Sequence, residues 1–135
     1  MSDPDPIIED RTRTNRVLVI EDEDNVALAL EYVIRREGYD FLRISDGAEA
    51  AGVLLEQRPD IVLLDVMLPN VSGYEICDML RRTPELRDTR VIIMTARGST
   101  LQRDRALSVG ADDFLPKPFS LEDLRSKLKA QLTAR

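Results

Sequence analysis

The chain has no histidine, no tryptophan and a single cysteine, Cys77, among its 135 residues. Without histidine, Ser-His-Asp and Cys-His catalysis and imidazole metal sites are excluded within the chain. Nor can the chain carry a phosphohistidine of its own. One cysteine excludes intrachain disulfides and thiolate zinc centres. The helical setting of Cys77 marks it as a small buried apolar residue rather than a reactive thiol. No apolar run approaches membrane-spanning length, and the N-terminus lacks the apolar segment of a secretory signal. Positive charge is also scarce: 19 Lys and Arg against 25 Asp and Glu give a net charge of −6. Direct binding of nucleic acid or of an anionic membrane by this domain is therefore not expected. What remains is a cytoplasmic acidic domain whose chemistry must run on carboxylates, hydroxyls and lysine.

What is present is 43% hydrophobic, enough for the core of one domain. The stretch Asp60-Ile-Val-Leu-Leu-Asp65 organises the rest. Ile61 to Leu64 form a short unbroken apolar run between Pro59 and the turn residues Pro69, Asn70 and Gly73. That pattern predicts a strand buried on both faces, as a parallel sheet with helices on either side requires. Asp65 ends the run. At such a carboxyl edge an Asp is either a cap for the following loop or a chemical group.

Four further strands are predicted: Arg16 to Ile20, Tyr39 to Ile44, Arg90 to Thr95 and Asp113 to Pro116. Helical spacing fills the intervals. The first helix carries Val26, Ala27, Leu30, Val33 and Ile34, with Asp24 as its N-cap and Gly38 as its stop. Asp46 with Glu49, Ser72 with Glu75, and Ser99 with Gln102 read as caps of the next three. Ser120 caps the last helix, whose inner side is expected to hold Leu121, Leu124, Leu128 and Leu132. Residues 1–15 read as a flexible polar tail and residues 16–133 as the folded domain. Five strands alternating with five helices argue for an α/β, doubly wound parallel sheet.

In that architecture Glu21, Asp22, Asp65, Thr95 and Lys117 all fall at strand carboxyl ends, along one sheet edge. Three carboxylates brought together repel one another, and a hard cation with oxygen ligands relieves this best. Magnesium, which favours one or two carboxylates, water and phosphate oxygens, suits the set, and manganese can substitute. A carboxylate beside a metal, a lysine and a hydroxyl is suited to attack on phosphorus, giving an aspartyl phosphate. Taken singly, each group has a plainer reading: a solvated helix start at Glu21 to Asp24, a strand-end hydroxyl, a surface lysine.

The segments VLVIEDED, DIVLLDVMLPNVSGYE, VIIMTARG and GADDFLPKPF resemble those of receiver domains of two-component response regulators. The resemblance implies a flavodoxin-like five-stranded sheet of order 2-1-3-4-5. It implies Asp65 as the phosphoacceptor, Glu21 and Asp22 as the acidic pair at magnesium, and the backbone carbonyl of Met67 as the third protein ligand. Thr95 matches the switch hydroxyl, Phe114 the switch aromatic and Lys117 the lysine that pairs with the phosphoryl group. The peptide bond Lys117-Pro118 matches one that is usually cis. Implied partners are a sensor histidine kinase or a phosphotransfer protein, and a homodimer in the phosphorylated form. In that dimer Arg103 would meet Asp123, and Asp113 would meet Lys127, across the face made by the helix after Thr95, the strand at Phe114 and the last helix.

Three positions depart from the common pattern. Glu21 stands where many receivers have Asp, Phe114 where many have Tyr, and Pro116 precedes the lysine. Three other functions remain in view. A flavodoxin-like cofactor module would need a glycine-bearing phosphate loop after the first strand, where this chain is acidic. A haloacid-dehalogenase-type phosphatase would want an acid where Met67 stands. A pseudo-receiver would bind partners without being phosphorylated.

Overall fold

The computed structural model describes residues 15–133. The tail expected over residues 1–15 lies outside them, apart from Asn15. Among the described residues, five strands alternate with five α-helices. The strands are β1 (Arg16–Ile20), β2 (Asp40–Ile44), β3 (Ile61–Asp65), β4 (Arg90–Ala96) and β5 (Asp113–Lys117). The helices are α1 (Asp24–Arg36), α2 (Ala50–Gln57), α3 (Gly73–Arg82), α4 (Thr100–Ser108) and α5 (Leu121–Thr133). All strand pairs are parallel, in the order β2-β1-β3-β4-β5. This is the flavodoxin-like order that the resemblance implied.

Alternation along the strands divides the core in two. Leu18, Ile20, Val62, Leu64, Val91 and Ile93 point to one face, where Leu54, Ile76, Cys77 and Leu80 cover them. Val17, Val19, Ile61, Leu63, Ile92 and Met94 point to the other, against Leu30, Ile34, Leu124 and Leu128. Successive side chains of a strand point to opposite faces, so a strand covered on both sides must be apolar throughout. β3 meets that condition, and its last residue, Asp65, is buried with it.

Local signals set most helix ends. Ser72 and Glu75 form a complete capping box at α3, with Glu75 N–H donating to Ser72 Oγ (3.2 Å) and Ser72 N–H to Glu75 Oε1 (3.1 Å). Asp46 accepts from Ala48 N–H at 2.9 Å, but the turn it caps is a 3₁₀ turn (Gly47–Glu49) that precedes α2. Other expectations are corrected. Asp24 is the first residue of α1 rather than its cap, and Glu23 stands at the cap position without a side-chain bond. Ser99 accepts from Gln102 N–H (3.1 Å), yet the Gln102 side chain does not close the box. Leu121 is 50% exposed: only Leu124 and Leu128 reach the interior of α5's packing face, with Leu132 half-buried beside them.

β5 is an edge strand, which is why it tolerates Pro116. The Lys117-Pro118 peptide bond is cis. No helix among the described residues is long and apolar enough to cross a membrane.

Cys77 is fully buried, and burial pushes its thiol up to about 11. The thiolate is the reactive form. At pH 8 native protein should therefore resist a disulfide reagent, and labelling should appear only as denaturant unfolds the chain. Stoichiometric labelling of the native protein within minutes would contradict this burial.

Candidate functional site

The carboxyl ends of β1, β3, β4 and β5 open into a cleft of about 470 Å³ that includes Asp22, Asp65, Met67, Thr95, Gln102 and Lys117. Every site residue expected at the sheet edge is there, or directly beside it. Glu21 is fully buried, Asp65 and Thr95 are buried, and Asp22 is exposed. Carboxylate oxygens of Glu21, Asp22 and Asp65 all lie within 4.8 Å of one another. Lys117 Nζ stands 2.9 Å from Glu21 Oε1 and 3.3 Å from Asp65 Oδ1, bridging the two buried acids. Its third acidic neighbour is Glu23, at 3.9 Å.

Burial raises the pKa of Asp65, Lys117 opposes that rise, and Asp22 adds to it. Glu21 is raised for the same first reason, burial, against the pull of Lys117 and of the Glu23 N–H. For Lys117, burial works against the ammonium, but Glu21 and Asp65 outweigh it and the pKa rises. One ammonium thus neutralises two buried carboxylates only in part, which leaves room for a further cation. The three-oxygen set is the hard donor type that magnesium takes. Glu21's carboxylate is engaged with Lys117 and with Glu23 N–H, which donates to Oε2 at 3.0 Å. Met67 stands at the mouth, 75% exposed, beside Asp65.

The loops are held by contacts that local pattern does not announce. The Cα of Gly73 lies so close to Asp65 that a Cβ would sit 2.3 Å from its carbonyl oxygen. Asn70, with a left-handed φ of 70°, donates to both Asp46 oxygens at 3.0 and 3.1 Å, tying the loop after Asp65 to the one after β2. Gln102 Oε1 accepts from Ala96 N–H at 2.6 Å and so holds the residue after Thr95. Arg97 donates through its backbone N–H to the Lys117 carbonyl (3.0 Å) and through its guanidinium to the Pro118 carbonyl. Tyr74 packs beneath the Arg105 guanidinium, 4.4 Å from the ring centre, and so braces α3 against α4.

Phe114 is half-buried, and its ring carries Lys127 Nζ at 5.0 Å. Between Thr95 and Phe114 lies a small cleft of about 200 Å³, bounded also by Ser99, Arg103 and Pro116. Within the chain Lys127 pairs with Asp113 (3.1 Å), and Arg103 with its neighbour Asp104 (3.2 Å). A wider cleft of about 530 Å³ opens at the far end of the sheet, near Arg81, Arg87 and Asp112. There Arg81 is committed to structure: it donates to the Gly110 and Thr89 carbonyls and to Asp112, each at 2.8 Å.

Comparison with known proteins agrees with this fold. The family model for the response regulator receiver domain matches residues 17–129. The chain belongs to the response regulator receiver family. It is 43% identical over 117 residues to the phosphate regulon transcriptional regulatory protein PhoB of Rhizobium meliloti (strain 1021), covering 87% of this chain and 52% of that one. It spans about half the length of the curated relatives it matches. Among solved structures, the chemotaxis response regulator CheY4 of Vibrio cholerae superposes with a TM-score of 0.82 at 25% identity, over 88% of this chain and 99% of that one. The receiver domain of a sensor histidine kinase from Pseudomonas aeruginosa PAO1, solved with magnesium coordinated in its active-site cleft, gives 0.82 at 28% identity, over 90% and 99%.

Two substitutions probe this receiver site. Asp22→Asn removes one of three crowded charges, so in chelator-containing buffer it should raise the thermal midpoint, and a lowered midpoint would contradict the repulsion. Gly73→Ala drives a methyl into backbone, so it should cost ~1–3 kcal/mol in denaturant unfolding. An unchanged midpoint would show that the loop has slack.

Proposed function

We propose that this receiver accepts a phosphoryl group on Asp65, from a sensor histidine kinase or a phosphotransfer protein, in the cytoplasm. The observation that carries this reading is the placement of Lys117 between Asp65 and Glu21, with Asp22 and Thr95 in the same cleft. An Asp65 oxygen attacks phosphorus, a P–O bond forms, and the P–N bond to the donor imidazole breaks. The electron pair leaves with that nitrogen. An acyl phosphate would serve as a small-molecule donor in the same way. Lys117 would pair with the incoming phosphoryl oxygens, and the Thr95 hydroxyl would donate to one of them. Glu21, Asp22, Asp65 and the Met67 carbonyl are the groups that would hold magnesium, or manganese in its place. The ion, when bound, would supply positive charge to the transferring group.

Phosphorylation would draw Thr95 toward the phosphoryl oxygens, and Phe114 would turn into the small cleft beside it. Such a switch requires only that the phosphoryl group favour one of two packings by a few kcal/mol. The face it reshapes is α4-β5-α5, where Arg103, Asp113, Asp123 and Lys127 would pair across a homodimer. In that exchange Lys127 gives up the Asp113 of its own chain for the Asp113 of the partner. Exposed ion pairs contribute about 0–1 kcal/mol each, so these set register while apolar contacts supply affinity.

Incubation with acetyl phosphate and magnesium should add the mass of one phosphoryl group to the wild type and none to Asp65→Asn. Equal incorporation in both would remove Asp65 from its role, and no incorporation in either would favour a pseudo-receiver. Light scattering should show a dimer on addition of beryllofluoride and a monomer for Arg103→Glu under the same conditions. A variant that dimerises as well as the wild type defeats this face.

A further inference from the structure

The run Glu21-Asp22-Glu23-Asp24 puts four acids in succession after β1, with Asp22 and Glu23 lining the cleft, and they do not behave alike. Glu21 is engaged by Lys117 at 2.9 Å, and Glu23 is the same lysine's more distant neighbour at 3.9 Å. Asp24 is drawn away to Arg43, whose Nη1 lies 2.9 Å from Oδ1. Asp22 alone has no ion-pair partner among the described residues.

Arg43 does more than remove Asp24. It stands on β2, in register with Val19 on β1, and reaches forward past the end of its neighbour strand. Its Nε and Nη2 both donate to the backbone carbonyl of Glu21, at 3.1 and 2.9 Å. That carbonyl and the amide of Asp22 share one rigid peptide plane. Glu21 N–H is already fixed by the Ile44 carbonyl at 3.1 Å, and Glu23 N–H by Glu21 Oε2 at 3.0 Å. The peptide that sets the direction of Asp22 is thus held by Arg43 on one side and by its neighbours' backbone bonds on the other. The ion pair contributes less than the fork, because the Asp24 side chain is 91% exposed, where such pairs are worth about 0–1 kcal/mol. A planar guanidinium can straddle one carbonyl with two donors, whereas an ammonium presents a point charge.

We infer that Arg43 is a positioning residue for the acidic loop, holding the Glu21-Asp22 peptide so that Asp22 faces Asp65. This rests on the magnesium site proposed above, and Arg43 itself touches neither metal nor phosphoryl group. Charge and positioning make opposite demands here. A cation near a metal site weakens metal binding, so if charge were the whole effect, removing Arg43 would tighten it. If the fork positions Asp22, removing it loosens binding although a repelling charge has gone.

The experiment is a manganese titration of the full chain, followed by electron paramagnetic resonance, with calorimetric magnesium titration beside it. Arg43→Gln and Arg43→Lys should each bind about tenfold more weakly or worse, the range found when an outer partner of a metal ligand is lost. Asp24→Asn keeps the fork and should bind near the wild-type level. Far-ultraviolet circular dichroism on each variant reads the fold independently of the metal. Tighter binding by Arg43→Gln with wild-type binding by Arg43→Lys would overturn the inference in favour of charge alone. Wild-type affinity in both Arg43 variants would overturn it outright. So would a loss in Asp24→Asn as large as in Arg43→Lys. A wild-type chain that takes up neither ion would overturn the phosphoacceptor reading along with it, whereas wild-type binding with unaffected variants overturns this inference alone.

Discussion

At the carboxyl edge of the sheet Lys117 lies between Glu21 and Asp65, and much of the architecture serves to keep it there. A buried carboxylate pair without a cation would be costly, since desolvation and mutual repulsion both disfavour the charged forms. Lysine supplies a compact charge on a flexible stem. It arrives from an edge strand, β5, which is paired to β4 along its whole length, with Lys117 opposite Ala96. The two acids stand at the ends of β1 and β3, interior strands of the sheet, with Glu21 N–H bonded to the Ile44 carbonyl and Asp65 in register with Met94.

The sheet explains why the groups meet at all. Parallel strands end at one edge, and helices on both faces force the interior residues to be apolar. Chemistry is thereby expelled from the middle of every strand to its last position. Asp65 and Thr95 are polar residues at the ends of otherwise apolar runs, and burial reaches them both. The connections beyond are held by side chains: Asn70 ties the loop after β3 to Asp46, Arg97 ties the loop after β4 to Pro118, and Gln102 closes back on Ala96 within its own connection.

Much of this was legible in the chain. The apolar run of β3, the capping box of α3 and the polar ends of four strands are local patterns with local causes, and the sheet turned them into one site. What escaped was either non-local or ambiguous within a helix. Arg43, on β2, gives no sign that it will clasp a carbonyl of the preceding loop, because strand register alone brings the two together. Gln102 reads as half of a capping box, yet its side chain turns to Ala96, a residue that only tertiary folding sets beside it. Asp24 looks like a cap, and the guanidinium of Arg43 takes it instead. In α5 the leucine spacing marks a stripe, but its first member, Leu121, opens the helix and stays half exposed, while Leu124 and Leu128 are buried.

The outer side of β5 bears on how the protein avoids unwanted company. Lys117's carbonyl faces inward and accepts from Arg97 N–H, so Phe114 and Pro116, in the opposite phase, direct their backbones outward. Neither offers a donor there. The Phe114 N–H is taken by Asp113 Oδ1 at 2.8 Å, and proline has none. An exposed sheet edge is a template for strand addition, and natural proteins blunt it with proline and charge. This edge is blunted by both. A second chain meeting the protein here finds outward carbonyls but no free donors, so strand addition is weakened, and association on this side falls mainly to side chains and is open to control by them.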